Sequence, residues 1–440
     1  MQLFGTDGIR GIAGKELTPK LAFLCGVAVA KVLGGVHKTG HVVVGKDTRI
    51  SSDMIESNVI SGLCYGGTNV IEVGVVPAPA ISYLCKKYAA FAGVMITASH
   101  NSPQFNGIKI FCGNGEKLDQ ENEAKLEKFV FERHKYVCPP TFGRVMHEKT
   151  AYLDYCEFVE SALSFDLSGV RVGLDLCHGT LCDLAERVFE NLGAEVRCEN
   201  HSPEGELVNV CCGSEFPDRF AGSVARCAED VGFAFDCDGD RVVVVDEKGS
   251  VVDGDKILFL FASHLKNESR LVKNAVVGTS LSSLALEEAF EKRGISLLRA
   301  DVGEKSVLQF MNSFGLMLGA EPCGKVILRE FLPTADGLLA ALFVAKIVKE
   351  TKKPLSKLVE SVKNLPKKEK NYILETDAKQ SALVGLFDFV RSIAAARKDY
   401  RVLIRQSGTE NAVRVCVEGV DKKQVDKIVA QIDDFVLHMG

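Results

Sequence analysis

The chain has 440 residues, of which 46% are hydrophobic and 25% charged, a composition suited to a folded globular protein of three or four domains. A net charge of −5, with no basic run interleaved with aromatics, removes nucleic acid as an expected partner. No basic region followed by an apolar stretch opens the chain and no run reaches membrane-spanning length, so no signal peptide and no membrane partner are expected, and a cytoplasmic location follows. The fifteen cysteines are an odd number, scattered through apolar segments without Cys-x-x-Cys spacing; buried reduced thiols account for them better than disulfides or zinc.

In chain order, the first feature is the loop Phe4-Gly5-Thr6-Asp7-Gly8-Ile9-Arg10-Gly11, whose glycines permit tight turns and whose Arg10 can fork two hydrogen bonds onto a phosphate. Apolar residues at helical spacing over 17–33, with Thr18 as N-cap and Pro19 in the first turn, predict a helix, and 51–63 predicts a second. The stretch 91–96 predicts a buried strand running into Thr97-Ala98-Ser99-His100-Asn101. A serine on such a turn caps a helix unless something activates it. His100 or Lys109 could exchange its proton, and no Gly-x-Ser-x-Gly elbow marks a hydrolase of that type. A strand is predicted at 107–111, a charged helix at 119–132, a break near 138–141 and a helix at 151–163 that leads into a strand at Val170.

Between the apolar runs 231–235 and 242–245 lies Asp236-Cys237-Asp238-Gly239-Asp240-Arg241. Three carboxylates at alternate positions offer hard oxygen ligands to a hard cation such as Mg²⁺. With Glu247 they match the spacing of a calcium-binding EF-hand loop, but Arg241 stands where that loop needs a sharp glycine turn. The β-branched flanks also predict strands rather than helices, which leaves a strand-turn-strand presenting the three carboxylates. A second break is expected near 249–253, and the apolar runs 257–262 and 338–348 predict buried helices. The strand ends 42–47, 170–175 and 275–280 resemble one another, which suggests three related α/β units.

Gly319-Ala320-Glu321-Pro322-Cys323-Gly324-Lys325 is a glycine-bounded turn whose Glu321 could bind sugar hydroxyls or an amine. Pro366 and the charge run over 363–370 read as a linker. The remainder alternates strand 400–404, polar loop 405–411, strand 413–417 and amphipathic helix 425–437, a small α+β unit. Arg405-Gln406-Ser407-Gly408-Thr409-Glu410 combines a guanidinium, hydroxyls and backbone N–H groups around a glycine, the chemistry of a phosphate cradle, and Arg414 lies just beyond.

Taken together and in this order, the loops resemble those of the α-D-phosphohexomutase superfamily over essentially the whole chain. Within it, 4–11 and the serine loop are most similar to the bacterial phosphoglucosamine mutases. The resemblance implies an α/β protein of four domains in a heart-like arrangement around a cleft, three of them related α/β units and the last a C-terminal α+β unit. The expected boundaries are 1–150, 151–250, 251–366 and 367–440. It implies that Ser99 is carried as phosphoserine and that Asp236, Asp238 and Asp240 bind Mg²⁺ together with a phosphate oxygen on Ser99. Arg10, His100, Lys109 and Arg241 are implied around the reacting phosphate, with Lys109 first and His100 second as the proton-transfer group. Glu321, Cys323 and Lys325 fall on the sugar-contacting loop, and Arg405, Ser407, Gly408, Thr409 and Arg414 on the loop for the non-reacting phosphate.

The implied activity interconverts glucosamine 6-phosphate and glucosamine 1-phosphate on the route to UDP-N-acetylglucosamine, through a sugar bisphosphate that also serves as primer. The partner is then a small-molecule phosphosugar, and the protein a monomer or homodimer. Ser102, Cys237 and the absence of proline from 405–411 depart from the family pattern, and the largest departure is the loop where Cys323 and Lys325 stand in place of a usual serine and histidine. They keep open a phosphomannomutase or phosphoglucomutase of the same fold, and a non-catalytic phosphosugar-binding protein.

Overall fold

The computed structural model describes residues 3–5, 7–34, 40–132, 141–163, 165–373, 379–394, 399–406 and 412–438. In the first unit, β1 (Ile9–Ile12), β2 (His41–Lys46), β3 (Asn69–Val75), β4 (Ala92–Ile96), β5 (Phe105–Cys112) and β6 (Val145–His147) form one sheet in the order β1-β5-β4-β2-β3-β6. Its helices are α1 (Pro19–Ala28), α2 (Ser52–Tyr65), α3 (Ala78–Lys87) and α4 (Gln120–Phe131). Thr18 caps α1 by accepting from Leu21 N at 3.2 Å, and the expected helix continues past Ala28 as a π-helical turn over Val29–Leu33. The break expected near 138–141 falls mostly outside the described residues.

The second unit contains α5 (Ala151–Leu163), β7 (Arg171–Asp175), α6 (Ala185–Asn191), β8 (Glu195–Glu199), α7 (Pro217–Cys227), β9 (Val231–Phe235), β10 (Val242–Asp246) and β11 (Val251–Val252). Its sheet order is β11-β10-β9-β7-β8. The third unit contains α8 (Gly254–Asn267), β12 (Ala275–Thr279), α9 (Leu284–Arg293), β13 (Ser296–Ala300), α10 (Glu304–Phe314), β14 (Leu318–Ala320), β15 (Val326–Leu328), α11 (Gly337–Thr351) and α12 (Leu355–Leu358), with the sheet order β13-β12-β14-β15. Within the stretch 249–253, β11 closes the second sheet and Asp253 caps α8 by accepting from Lys256 N.

The three sheets repeat one plan. A central strand (β2, β7 or β12) has a parallel neighbour on each side, and one of those neighbours pairs antiparallel with the strand that follows it in sequence. The serine loop joins β4 to β5, the acidic loop joins β9 to β10, and the Glu321 loop joins β14 to β15. The three loops singled out in the sequence are therefore the same connection in three successive repeats.

One continuous apolar core runs from α3 and α5 through the second sheet to α8 and α11, so the first three units share an interior. α11 is buried all round over 337–345, as the apolar sequence of that stretch requires. The fourth unit is built from β16 (Lys367–Ile373), α13 (Lys379–Ala394), β17 (Tyr400–Gln406), β18 (Ala412–Gly419) and α14 (Lys422–Leu437), and has its own core around Leu386, Val402, Val417 and Ile432. The charge run 367–370, expected as a linker, is the first half of β16, an edge strand antiparallel to β18. Lys367 to Lys370 are all exposed, so no apolar alternation announces the strand; charges on an edge also discourage further strand addition.

Candidate active site

Ser99 ends the β4 side of its hairpin fully buried, with φ at 51°, a left-handed conformation uncommon for a residue bearing a Cβ. The turn is held from behind. The backbone N–H of Ser99 donates to Thr97 Oγ1 at 2.9 Å, while Asn209 Nδ2 and Arg49 Nη2 both donate to the Ser99 carbonyl at 2.8 Å. Ser99 Oγ is thereby aimed across the unit boundary and donates to Asp236 Oδ2 at 2.6 Å.

Asp236, Asp238 and Asp240 are each at most 1% exposed, and one ligand oxygen from each lies within 4.8 Å of the others. Asp238 Oδ1 and Asp240 Oδ1 are buried with no hydrogen-bond partner. Burial, then the facing carboxylates of Asp238 and Asp240, push the Asp236 carboxyl well above its usual range. Converging, dry, underpartnered carboxylate oxygens fit a hard divalent cation.

The counter-charge comes from three lysines. Lys109 Nζ contacts Asp238 Oδ2 at 2.6 Å, Asp240 Oδ2 at 2.8 Å and Asp7 Oδ2 at 3.2 Å. Lys325 Nζ contacts Asp240 Oδ2 at 2.9 Å, and Asp7 Oδ2 and Glu304 Oε2 at 3.2 Å each. Lys117 Nζ bridges Asp7 Oδ1 and Glu304 Oε2 at 2.6 Å each. Burial opposes ionisation throughout, yet the lysines hold Asp7 and Asp240 well below the usual carboxylate range and Glu304 below it. Lys109 and Lys325 are raised in turn: burial works against their charge, and the surrounding carboxylates outweigh it.

Around this centre, Arg10 donates to Asn101 Oδ1 at 2.5 Å and to Asp7 Oδ2 at 2.8 Å. His100 Nδ1 lies 3.5 Å from Ser99 Oγ; burial first, then Arg241, Arg10 and Lys325, push its imidazole down to about 3. Arg241 donates its backbone N–H to Asp236 Oδ1 at 3.1 Å and its guanidinium to Glu215 at 2.9 Å. Glu321 accepts from Gly303 N at 2.8 Å, and Cys323 is exposed on the same loop. Gly324 docks that loop on the second unit: its φ is +90°, and a Cβ there would lie 2.2 Å from the Val242 carbonyl oxygen. In the fourth unit, Arg405 and Arg414 are directly opposite each other on β17 and β18. Ser407, Gly408 and Thr409 lie outside the described residues.

Family models for phosphoglucomutase/phosphomannomutase match the chain in sequence order: alpha/beta/alpha domain I at residues 1–137, domain II at 151–249, domain III at 253–365 and the C-terminal domain at 357–435. The chain belongs to the phosphoglucomutase/phosphomannomutase family. It is 40% identical to the phosphoglucosamine mutase of Clostridium kluyveri, over 99% of this chain and 98% of that protein. It is 42% identical to the phosphoglucosamine mutase of Clostridium novyi, over 97% and 96% of the two chains. Among solved structures, a phosphoglucomutase/phosphomannomutase family protein from Burkholderia thailandensis has the same fold at a TM-score of 0.86 and 21% identity, covering 100% of this chain and 97% of that one. Aspergillus fumigatus N-acetylphosphoglucosamine mutase, solved with GlcNAc-6P and magnesium, matches at a TM-score of 0.68 and 15% identity, over 100% and 96%.

Several members of the cluster were not singled out from the sequence: Asp47, Arg49, Lys117, Asn209 and Glu304. Arg49 is the most heavily used. It is 2% exposed, pairs with Asp47 at 2.9 Å, and donates to the carbonyls of Ser99, Asn101, Ser102 and Phe105 at 2.7–3.0 Å. The available signal was an Asp-x-Arg directly after an apolar strand. Arg49→Met is expected to cost about 3–5 kcal/mol, because it strands a buried carboxylate and several carbonyls. Turnover per folded molecule should fall as well, because the serine loop loses its support. Urea unfolding and active-site-normalised kcat check this; unchanged values of both would remove Arg49 from the account.

Proposed function

We propose that the protein is a phosphoglucosamine mutase, interconverting glucosamine 6-phosphate and glucosamine 1-phosphate with Ser99 as the phosphate carrier. The observation that carries the mechanism is Ser99 Oγ directed at Asp236 inside a buried triad of aspartates. The amino-sugar substrate rests on the name shared by relatives about 40% identical over nearly the full chain.

Asp236, Asp238 and Asp240 would hold Mg²⁺, the ion named with the Aspergillus neighbour. When bound, such an ion supplies charge neutralisation for a transferring phosphoryl group. The protein's own part is positioning and proton handling. A free sugar hydroxyl attacks phosphoserine, the P–O bond to Ser99 Oγ breaks, and the proton lost by the hydroxyl ends on the serine oxygen. Lys109, kept charged by the carboxylates around it, is the leading group to deliver a proton to the serine oxygen, with His100 beside Ser99 Oγ second. The bisphosphate must then turn over, so that Ser99 attacks the other phosphate and retrieves a phosphoryl group. Arg405, Arg414 and the loop 407–409 would hold whichever phosphate is not reacting, on a unit whose separate core suits movement during the cycle.

The test compares glucosamine, glucose and mannose 6-phosphates in parallel, with Mg²⁺ and a trace of sugar bisphosphate. Amino-sugar turnover severalfold above both hexoses is expected. Equal or reversed preference moves the substrate to the phosphomannomutase or phosphoglucomutase reading. Binding without turnover of any of them supports a phosphosugar-binding protein.

A further inference from the structure

Lys117 and Glu304 flank the aspartates and join two units, with Lys117 Nζ 3.8 Å from Asp240 Oδ2. Lys117 comes from the first unit, just beyond β5, and Glu304 opens α10 of the third. Their side chains are 6% and 5% exposed and meet at 2.6 Å. Glu304 is fixed on its other oxygen, Oε1, which accepts from Thr334 Oγ1 at 2.6 Å and Ala335 N at 3.0 Å. Its Oε2 is shared between Lys117 and Lys325, and Lys325 is shared in turn with Asp240. Lys117 also takes one oxygen of Asp7, whose other oxygen is shared by Arg10, Lys109 and Lys325. Every lysine that touches Asp240 is thus also held by Glu304 or Asp7.

We propose that Lys117 and Glu304 are a positioning pair that divides the lysine charge between Asp240 and its neighbours, and so sets how strongly the acidic loop binds a divalent cation. This rests on the metal-assisted reading above, but not on the identity of the sugar. The arrangement gives the two residues opposite signs. Removing the Glu304 charge leaves Lys117 and Lys325 with Asp7 and Asp240 alone, so they press on Asp240 and compete with a cation. Removing the Lys117 charge leaves Glu304 and Asp7 short of a partner, so they draw Lys325 and Lys109 away from Asp240 and expose it. Close charges in a dry setting make both effects large enough to measure.

The experiment is titration of the full-length protein with MgCl₂ by calorimetry, with Ser99 phosphorylation held equal between samples and checked by intact mass. Glu304→Gln is expected to weaken Mg²⁺ binding by about fivefold or more, and Lys117→Met to tighten it by about threefold or more. The double variant should return toward the wild-type value. For use if the first pair fails to fold, Glu304→Asp, which keeps the charge on a shorter arm, should weaken Mg²⁺ binding by a smaller factor, and Lys117→Gln, which removes the charge but can still hydrogen-bond Glu304, should tighten it. A purely structural brace moves both variants the same way, or neither, and either result overturns the proposal. A wild-type protein that binds no Mg²⁺ overturns it too. A wild-type protein that binds Mg²⁺ but prefers a hexose overturns only the substrate assignment.

Discussion

Ser99→Ala is expected to abolish phosphosugar isomerisation, with kcat falling by about 10⁴-fold or more, because the variant loses the atom that both attacks and carries the phosphoryl group. Only this hydroxyl, among the described residues, is hydrogen-bonded to the aspartate triad. The fold should tolerate the change. Alanine inherits the same left-handed backbone at residue 99, and the loop stays held by Arg49 and Asn209 through carbonyls that the substitution does not touch. Asp236 keeps the Arg241 N–H and the Arg241 charge but loses the Ser99 hydrogen bond, which also draws its carboxyl downward, so it is more readily accommodated in its neutral form. Thermal unfolding should therefore move little while turnover disappears. Intact mass supplies an independent reading: wild-type protein should include a species heavier by about one phosphoryl group, and the variant should lack it. Retained turnover within tenfold of wild type, or a phosphoryl adduct persisting in the variant, would move the carrier to another residue.

How much of this could be read from the sequence depended on how local each signal was. The acidic turn carries its ligands within five residues and lies between apolar runs, so its strand-turn-strand form was legible. The serine loop and the Glu321 loop were legible as turns. That the three are the same hairpin in three repeats emerges only from the strand pairing, because the repeated sequences share little beyond an apolar run and a small residue. The charged cluster was illegible for a different reason. Lys325 and Asp7 are 318 positions apart, and Lys117 meets Glu304 across 187, so nothing in the local pattern distinguishes these residues from solvated surface charges. The same ambiguity worked in reverse at 367–370, where solvent-facing charges read as a linker and proved to be an edge strand. A tertiary ion pair and an exposed charge have identical sequence signatures; burial separates them, and burial belongs to the fold.

Lys109→Met tests the centre of that cluster, and two losses are expected. Turnover should fall by about 10²–10⁴-fold, the usual range for removing a positioned proton-transfer group. Stability without metal should fall by about 3–5 kcal/mol, because Asp238, Asp240 and Asp7 lose a buried counter-ion. The two losses can be separated by Mg²⁺. A divalent cation on the aspartates replaces part of the missing charge, so the gain in unfolding temperature between chelator and excess Mg²⁺ should be larger in the variant than in wild type. Acid gives a second separation. In wild type, Asp7 and Asp240 are held well below their unfolded values, so the stability they contribute is present above the ordinary carboxylate range and lost as pH falls through the folded values. Without Lys109 both carboxyls move upward, and protonation relieves rather than breaks the site. The metal-free stability gap between wild type and variant should therefore narrow as pH falls through the ordinary carboxylate range and below it. A gap that stays constant with pH, together with equal Mg²⁺ protection and kcat within about threefold of wild type, would mean that Lys109 is a bystander to the acidic loop rather than the cation that occupies it.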